Sequence, residues 1–225
     1  MKFYSPLLAF VPLFAIATVA EAGVIVGGTR IIYDGNKKET SISVKNPDKF
    51  SYLIQSWADI SEGSKEKAPF IVTPPLFRLG AGQENMLRII RTGGNLPEDR
   101  ESLFWMNIKS IPATEKQESA NVLQIAVKTR IKIIYRPQTL KNVPENFADK
   151  LTWQRMGNQL RVNNPTPYYM NFSLVNVGTT MIQDATYVAP MSNSTFTIPT
   201  GAAGDVSWTL ISDYGAAGAK HSSHL

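Results

Sequence analysis

Residues 121–137 read NVLQIAVKTRIKIIYRP, with Leu123, Ile125, Val127, Ile131, Ile133 and Tyr135 on alternate positions and Gln124, Lys128, Arg130, Lys132 and Arg136 filling most places between. A period of two sends these sets to opposite faces of a β-strand. At about 3.3 Å per residue the run spans about 50 Å, far beyond the usual strand of about 5–6 residues. Such a strand is expected to overhang its sheet and to offer a bare edge and an apolar row to a partner.

The chain around this stretch has 225 residues, 43% of them hydrophobic and 18% charged, enough for one large or two ordinary β domains. The net charge of +5 favours anionic partners without specifying nucleic acid. Cysteine is absent, which excludes disulfides and thiolate metal sites. At the N-terminus, Lys2, the apolar run Leu7–Val19 and the small-residue site Ala20-Glu21-Ala22 compose a cleaved export signal over residues 1–22. The run is short for a membrane span and is interrupted by Pro12. The mature chain is expected to start at Gly23 outside the cytosol, with no membrane span.

From Gly23 to the long strand the pattern is one of short strands punctuated by turns: Ile25–Tyr33, Thr40–Val44, Phe50–Ala58, Phe70–Thr73, Leu76–Leu79, Asn85–Arg91 and Ser102–Lys109. Turn signals at such short intervals, with no capped segment of helical period, predict an all-β sandwich. Pro137–Pro144 lacks alternation and reads as a linker. Strand patterns then resume at Leu151–Arg155, Gln159–Val162, Tyr168–Val175, Thr186–Val188, Thr195–Ile198 and Val206–Ser212. Two β domains are expected, residues 23–138 and 145–225 joined by 139–144, the last stretch Gly215–Leu225 being frayed.

Catalytic readings find little purchase. The two histidines, His221 and His224, lie in that terminal stretch, which is expected to fray and so to lack the packed pocket that a Ser-His-Asp or His metal site requires. Glu98, Asp99 and Glu101 sit in one charged turn and read as surface charge rather than as a glycosidase pair. No catalytic residue, metal site or cofactor is assigned. The cationic face Lys128, Arg130, Lys132 and Arg136 lacks the interleaved aromatics of a single-strand nucleic-acid binder. Nucleic acid is not an expected partner.

Leu96–Ala113, LPEDRESLFWMNIKSIPA, followed by the 121–137 strand, resembles the periplasmic pilus-assembly chaperones of the chaperone–usher pathway. Thr29-Arg30, Thr73-Pro74-Pro75, Asn164–Tyr169 and Asp213-Tyr214-Gly215 fit the same family in the same order. The resemblance implies two immunoglobulin-like β-sandwich domains set at an angle, with a cleft between them. It implies binding of pilus (fimbrial) subunits, incomplete folds that lack their last strand, and delivery to an outer-membrane usher from the periplasm. The chaperone lends its long strand to complete the subunit.

By motif, the resemblance assigns Arg30 and Lys132 as the anchor of the subunit's C-terminal carboxylate, and Leu123, Ile125 and Val127 as the donor row. Glu101, Arg136 and Asp213 match its interdomain charge cluster. Lys132 has the opposite parity from the donor row, so a twist or bulge is expected to reconcile the two roles. The nine-residue segment Pro112–Ala120 resembles the short-loop branch. When no subunit is present, self-association through the donor strand is a further expectation. The competing readings are an adhesive or structural surface protein of two sandwiches and a secreted carbohydrate-active enzyme.

Overall fold

The computed structural model describes residues 23–64, 66–113 and 123–225. The expected export signal lies outside the described residues, as does most of Pro112–Ala120. Among the described residues nine strands form the first unit: β1 (Ile25–Val26), β2 (Arg30–Asp34), β3 (Glu39–Lys45), β4 (Tyr52–Asp59), β5 (Phe70–Thr73), β6 (Leu76–Leu79), β7 (Glu84–Arg91), β8 (Ser102–Pro112) and β9 (Val127–Arg136). They make two sheets, in the orders β1-β3-β7-β5 and β2-β9-β8-β4-β6. Alternation decides what each sheet turns inward. Ile42, Val44, Leu87, Ile89, Phe70 and Val72 come from the first sheet. Ile31, Tyr33, Ile54, Phe104, Met106, Ile108, Ile131, Ile133 and Tyr135 meet them from the second.

Ile25–Tyr33, expected as one strand, is two. β1 pairs antiparallel with β3, whereas β2 pairs parallel with β9 in the opposite sheet. The chain crosses between sheets at Gly27-Gly28. A Cβ on Gly27 would lie 2.4 Å from Ser43 Oγ, so any side chain there would force the Ser43 hydroxyl to turn away.

A 3-10 helix, Pro144–Lys150, ends the segment read as linker. The second unit follows with β10 (Thr152–Met156), β11 (Gln159–Asn164), β12 (Met170–Val177), β13 (Thr180–Met181), β14 (Tyr187–Val188), β15 (Ser192–Thr197), β16 (Val206–Ile211) and β17 (Ala217–Ser223). Its sheets run β10-β11-β15 and β13-β12-β16-β17, with β14 also on β12. The core between them is aromatic at its centre, Trp153 meeting Trp208 and Phe172 at ring distances of 5.3 and 5.5 Å.

The terminal stretch Gly215–Leu225, expected to fray, carries β17, which pairs with β16 from Val206↔Ser223 to Ile211↔Ala217. Its Gly, Ala and Ser residues show no apolar row because it is an edge strand held by backbone hydrogen bonds. His221 stacks on Trp208 at 5.8 Å and bonds Asp149 Oδ1 at 2.6 Å, so it belongs to the packed unit.

One device recurs at both turns that the sequence marks with Asn-Pro. Asn46 is buried and donates to the carbonyls of Phe50, Leu79 and Gly80. Asn164 is buried and donates to those of Tyr168 and Ala189. Each amide satisfies backbone carbonyls that the turn would otherwise leave unpaired inside the protein.

Candidate functional site

β9 pairs with β8 without interruption from Ser102↔Tyr135 to Ser110↔Val127. β2 covers its other edge only from Arg30↔Lys132 to Asp34↔Arg136. From Val127 to Ile131 the second edge of β9 is therefore unpaired among the described residues. Residues 123–126 precede the ladder rather than extending it, so the paired strand is shorter than the sequence period suggested. Leu123, Ile125 and Val127 stand 85%, 64% and 53% exposed, although they share parity with the core residues Ile131, Ile133 and Tyr135. An exposed apolar row thus runs into an open edge at Val127, the ingredients of strand addition.

The other face of β9 is a file of charges. Lys128 pairs with Glu62, and Arg130 with Asp59 at 2.9 Å. Asp59 also accepts from Asn107 at 2.8 Å, while the Arg130 guanidinium lies 4.2 Å from the Trp105 ring. Arg136 at the far end is saturated. Its Nε donates to Glu101 Oε1 at 2.7 Å, and its two terminal nitrogens donate to Asp213 at 2.7 and 2.9 Å. Glu101 Oε2 accepts the backbone N–H of Tyr169 at 2.7 Å. The structure thus brings Glu101, Arg136 and Asp213 into one cluster joining the two units. Glu101 is 2% exposed, unlike Asp99 and Arg100 beside it, and the surface-charge reading of this carboxylate does not hold.

Arg30 and Lys132 differ from the other cations of this face. Adjacent in the parallel pair β2–β9, they have no carboxylate within ion-pair distance among the described residues. Lys132 Nζ donates to Asn171 Oδ1 and lies 4.4 Å above the Tyr187 ring, both from the second unit. Arg30 donates one weak bond of 3.3 Å to the Ile211 carbonyl, and its Nε is buried with no acceptor. Burial, then the neighbouring Arg30 charge, lowers the Lys132 ammonium to about 8. Burial also lowers Arg30, against the pull of Asp213 and Glu145. Burial pushes the Glu101 carboxyl up to about 7, while Arg136 and the Tyr169 N–H pull the other way. Two desolvated cations with unspent donors can accommodate an anion such as a carboxylate.

The parity conflict resolves without a bulge. The β8–β9 register is continuous, so the apolar row follows the core face and Lys132 follows the face turned to the second unit. Ile134, buried but part of neither core, shares that second face. Asn171 and Tyr187 were not singled out from the sequence. Only the nearby Tyr168-Tyr169 motif pointed toward them. Among the described residues no group of histidine and carboxylate side chains is placed to hold a metal.

Comparison with known proteins bears on this geometry. Residues 23–141 match the family described as "Pili and flagellar-assembly chaperone, PapD N-terminal domain", and residues 146–222 match "Pili assembly chaperone PapD, C-terminal domain". Chaperone protein FimC of Escherichia coli K12 is 46% identical over 204 residues, covering 89% of this chain and 84% of that protein. Chaperone protein FocC of Escherichia coli is 44% identical over 220 residues, covering 96% of each. The E. coli chaperone DraB superposes with a TM-score of 0.82 at 39% identity, covering 90% of this chain and 98% of that one. A Salmonella enterica structure of SafA pilin in complex with the SafB chaperone gives a TM-score of 0.85 at 38% identity, covering 92% and 99%.

Proposed function

The chain belongs to the pilus-assembly chaperone family, whose two immunoglobulin-like sandwiches it has, and from that premise we propose how it handles its client. The family is one of chaperones, not enzymes. The client is a fimbrial subunit in the periplasm that lacks its last strand. The chaperone lends residues 123–131 to the subunit's groove, holds the subunit's C-terminal carboxylate between Arg30 and Lys132, and passes it to an outer-membrane usher. A relative solved with its pilin supports the choice of partner.

The observation that carries the reading is where the open edge ends. β2 runs parallel to β9, and among the described residues no strand pairs with that edge up to the point where β2 begins. A guest strand lying in line with β2 and parallel to β9 would direct its C-terminus at Thr29 and Arg30. There the two cations without carboxylates wait. Covering each of Leu123, Ile125 and Val127 contributes about 1.5–3 kcal/mol before ordering costs. The anchor then fixes register, since a slip by one residue turns the row away from the groove. Glu101, Arg136 and Asp213 keep the units at the angle that leaves the anchor accessible. In the absence of a subunit, a second copy of this chain is the alternative occupant of the same strand.

The test is to co-express the chain in the periplasm with the subunits of its own fimbria and to solve the structure of the purified pair. A subunit strand hydrogen-bonded along 123–131, with its carboxylate on Arg30 and Lys132, is the expected result. A pair in which residues 123–127 lie remote from the subunit overturns the proposal.

A further inference from the structure

Arg30 has two carboxylates of the second unit near it, and only one of them is committed. Both oxygens of Asp213 accept from Arg136, at 2.7 and 2.9 Å. Glu145, in the first turn of the 3-10 helix, keeps Oε2 buried with no hydrogen-bond partner. Its position follows from the β16–β17 ladder. Ile211, whose carbonyl receives the weak Arg30 bond, is the register partner of Ala217. The Glu145 Cγ lies 3.9 Å from where a Cβ on the next residue, Gly218, would stand. Glu145 thus borders the same step of the hairpin that Arg30 touches. The Glu145 oxygen and the Arg30 Nε are both buried without a hydrogen-bond partner among the described residues. The charge of Glu145 is felt at Arg30, where it raises the guanidinium's affinity for its proton.

We infer that Glu145 is a resident competitor for Arg30, a positioning residue that holds down the affinity of the cleft for a guest carboxylate. The inference rests on the reading of Arg30 and Lys132 as a carboxylate anchor. Two carboxylates brought to one guanidinium repel each other, and a side chain already in place draws Arg30 toward the 3-10 helix. Leaving both atoms unpaired in the empty cleft costs stability, which a tight Arg30–Glu145 bond would remove. The geometry instead keeps Arg30 available while lowering its net attraction. A chaperone that must surrender its client gains from such moderation, because a weaker anchor releases faster.

The experiment compares a synthetic peptide of alternating valine and threonine in two forms, one ending in a free carboxylate and one in a carboxamide. Binding to the wild-type protein, Glu145→Gln, Arg30→Ala and the double variant is measured by calorimetry, after thermal unfolding shows that each is folded. In Glu145→Gln the free acid is expected to bind about five-fold tighter or more, with the amide unchanged. In the Arg30→Ala background the same substitution is expected to do nothing, the signature of action through Arg30. If the wild type favours the acid and Glu145→Gln leaves that preference unaltered, the role of Glu145 is overturned and the anchor stands. If the wild type binds acid and amide equally, the anchor itself is overturned, and the inference falls with it.

Discussion

Arg30 and Lys132 are register partners on the parallel strands β2 and β9, and no carboxylate pairs with either among the described residues. Lys128, Arg130 and Arg136 on the same face are all paired. Unmatched cations that are also desolvated are costly in the empty protein. On the proposed reading an arriving carboxylate repays that cost, so substitutions at this step are expected to show in subunit binding rather than in stability.

On the proposed reading, Lys132→Ala removes one charge-assisted partner of the guest carboxylate. Such a bond contributes about 1.5–3 kcal/mol, so subunit affinity is expected to fall roughly ten- to a hundred-fold. The free variant is expected to be at least as stable as the wild type in urea, because a desolvated charge is gone. Undiminished co-purification of subunits with this variant would remove Lys132 from the anchor.

The lowered Lys132 gives a pH signature of two opposite signs. Below about 8 the ammonium is charged in both the folded and the unfolded chain, and its burial penalty is fully present. Between about 8 and the ordinary 10.5 only the unfolded chain holds the proton, so this group makes stability rise with pH. Anion binding goes the other way and is expected to weaken as pH passes about 8. Calorimetry in buffers of different ionisation heat should record proton uptake on binding above that pH in the wild type and none in Lys132→Ala.

How much of this was legible beforehand depended on how local each signal is. The period of two in residues 121–137 sets the faces of β9 by itself, but the exposure of Leu123, Ile125 and Val127 does not follow from it, since they share the core parity and are left bare because the ladder with β8 starts only at Val127. The sheet change at Gly27 is invisible in the sequence, because it depends on β3 and β9 lying in different sheets. β17 escaped notice because small polar residues on an edge need no apolar row. By itself Glu101 looked like its exposed neighbour Asp99, and only the resemblance placed it in the interdomain cluster; it immediately precedes β8 where the second unit docks, its N–H donating to the Pro167 carbonyl at 2.9 Å. Asn171, Tyr187 and Glu145 reach the cleft from the second unit, and no spacing within the first foretells them.

Leu123→Glu and Ile125→Glu place a charge in the row that a subunit would cover. Each loses about 1.5–3 kcal/mol of burial and adds the penalty of desolvating a carboxylate. Both side chains are largely free of contacts in the empty protein, so unfolding midpoints are expected to stay within about 0.5 kcal/mol of the wild type. Arg161→Glu, on the exposed face of β11, is the control for added negative charge. Equal loss of subunit capture in all three variants would show a general charge effect and remove the donor row.

Glu101→Ala probes the joint between the units. The carboxylate is buried, receives Arg136 at 2.7 Å, and receives the Tyr169 N–H at 2.7 Å. Removing it leaves a buried guanidinium with Asp213 alone and an amide with no acceptor. Breaking one partner out of a buried pair typically costs about 3–5 kcal/mol, far more than an exposed pair contributes. Because the Glu101 carboxylate bonds Arg136 and the Tyr169 N–H across the joint, the loss is expected at the interface, with both sandwiches still folded. Hydrogen exchange should therefore quicken at Tyr169 and around Asp213 while the amides of β7 and β11 stay protected. Subunit binding should weaken as well, since Asn171 and Tyr187 would no longer be held against Lys132. Uniform loss of protection across both units would instead make Glu101 part of one undivided folding unit.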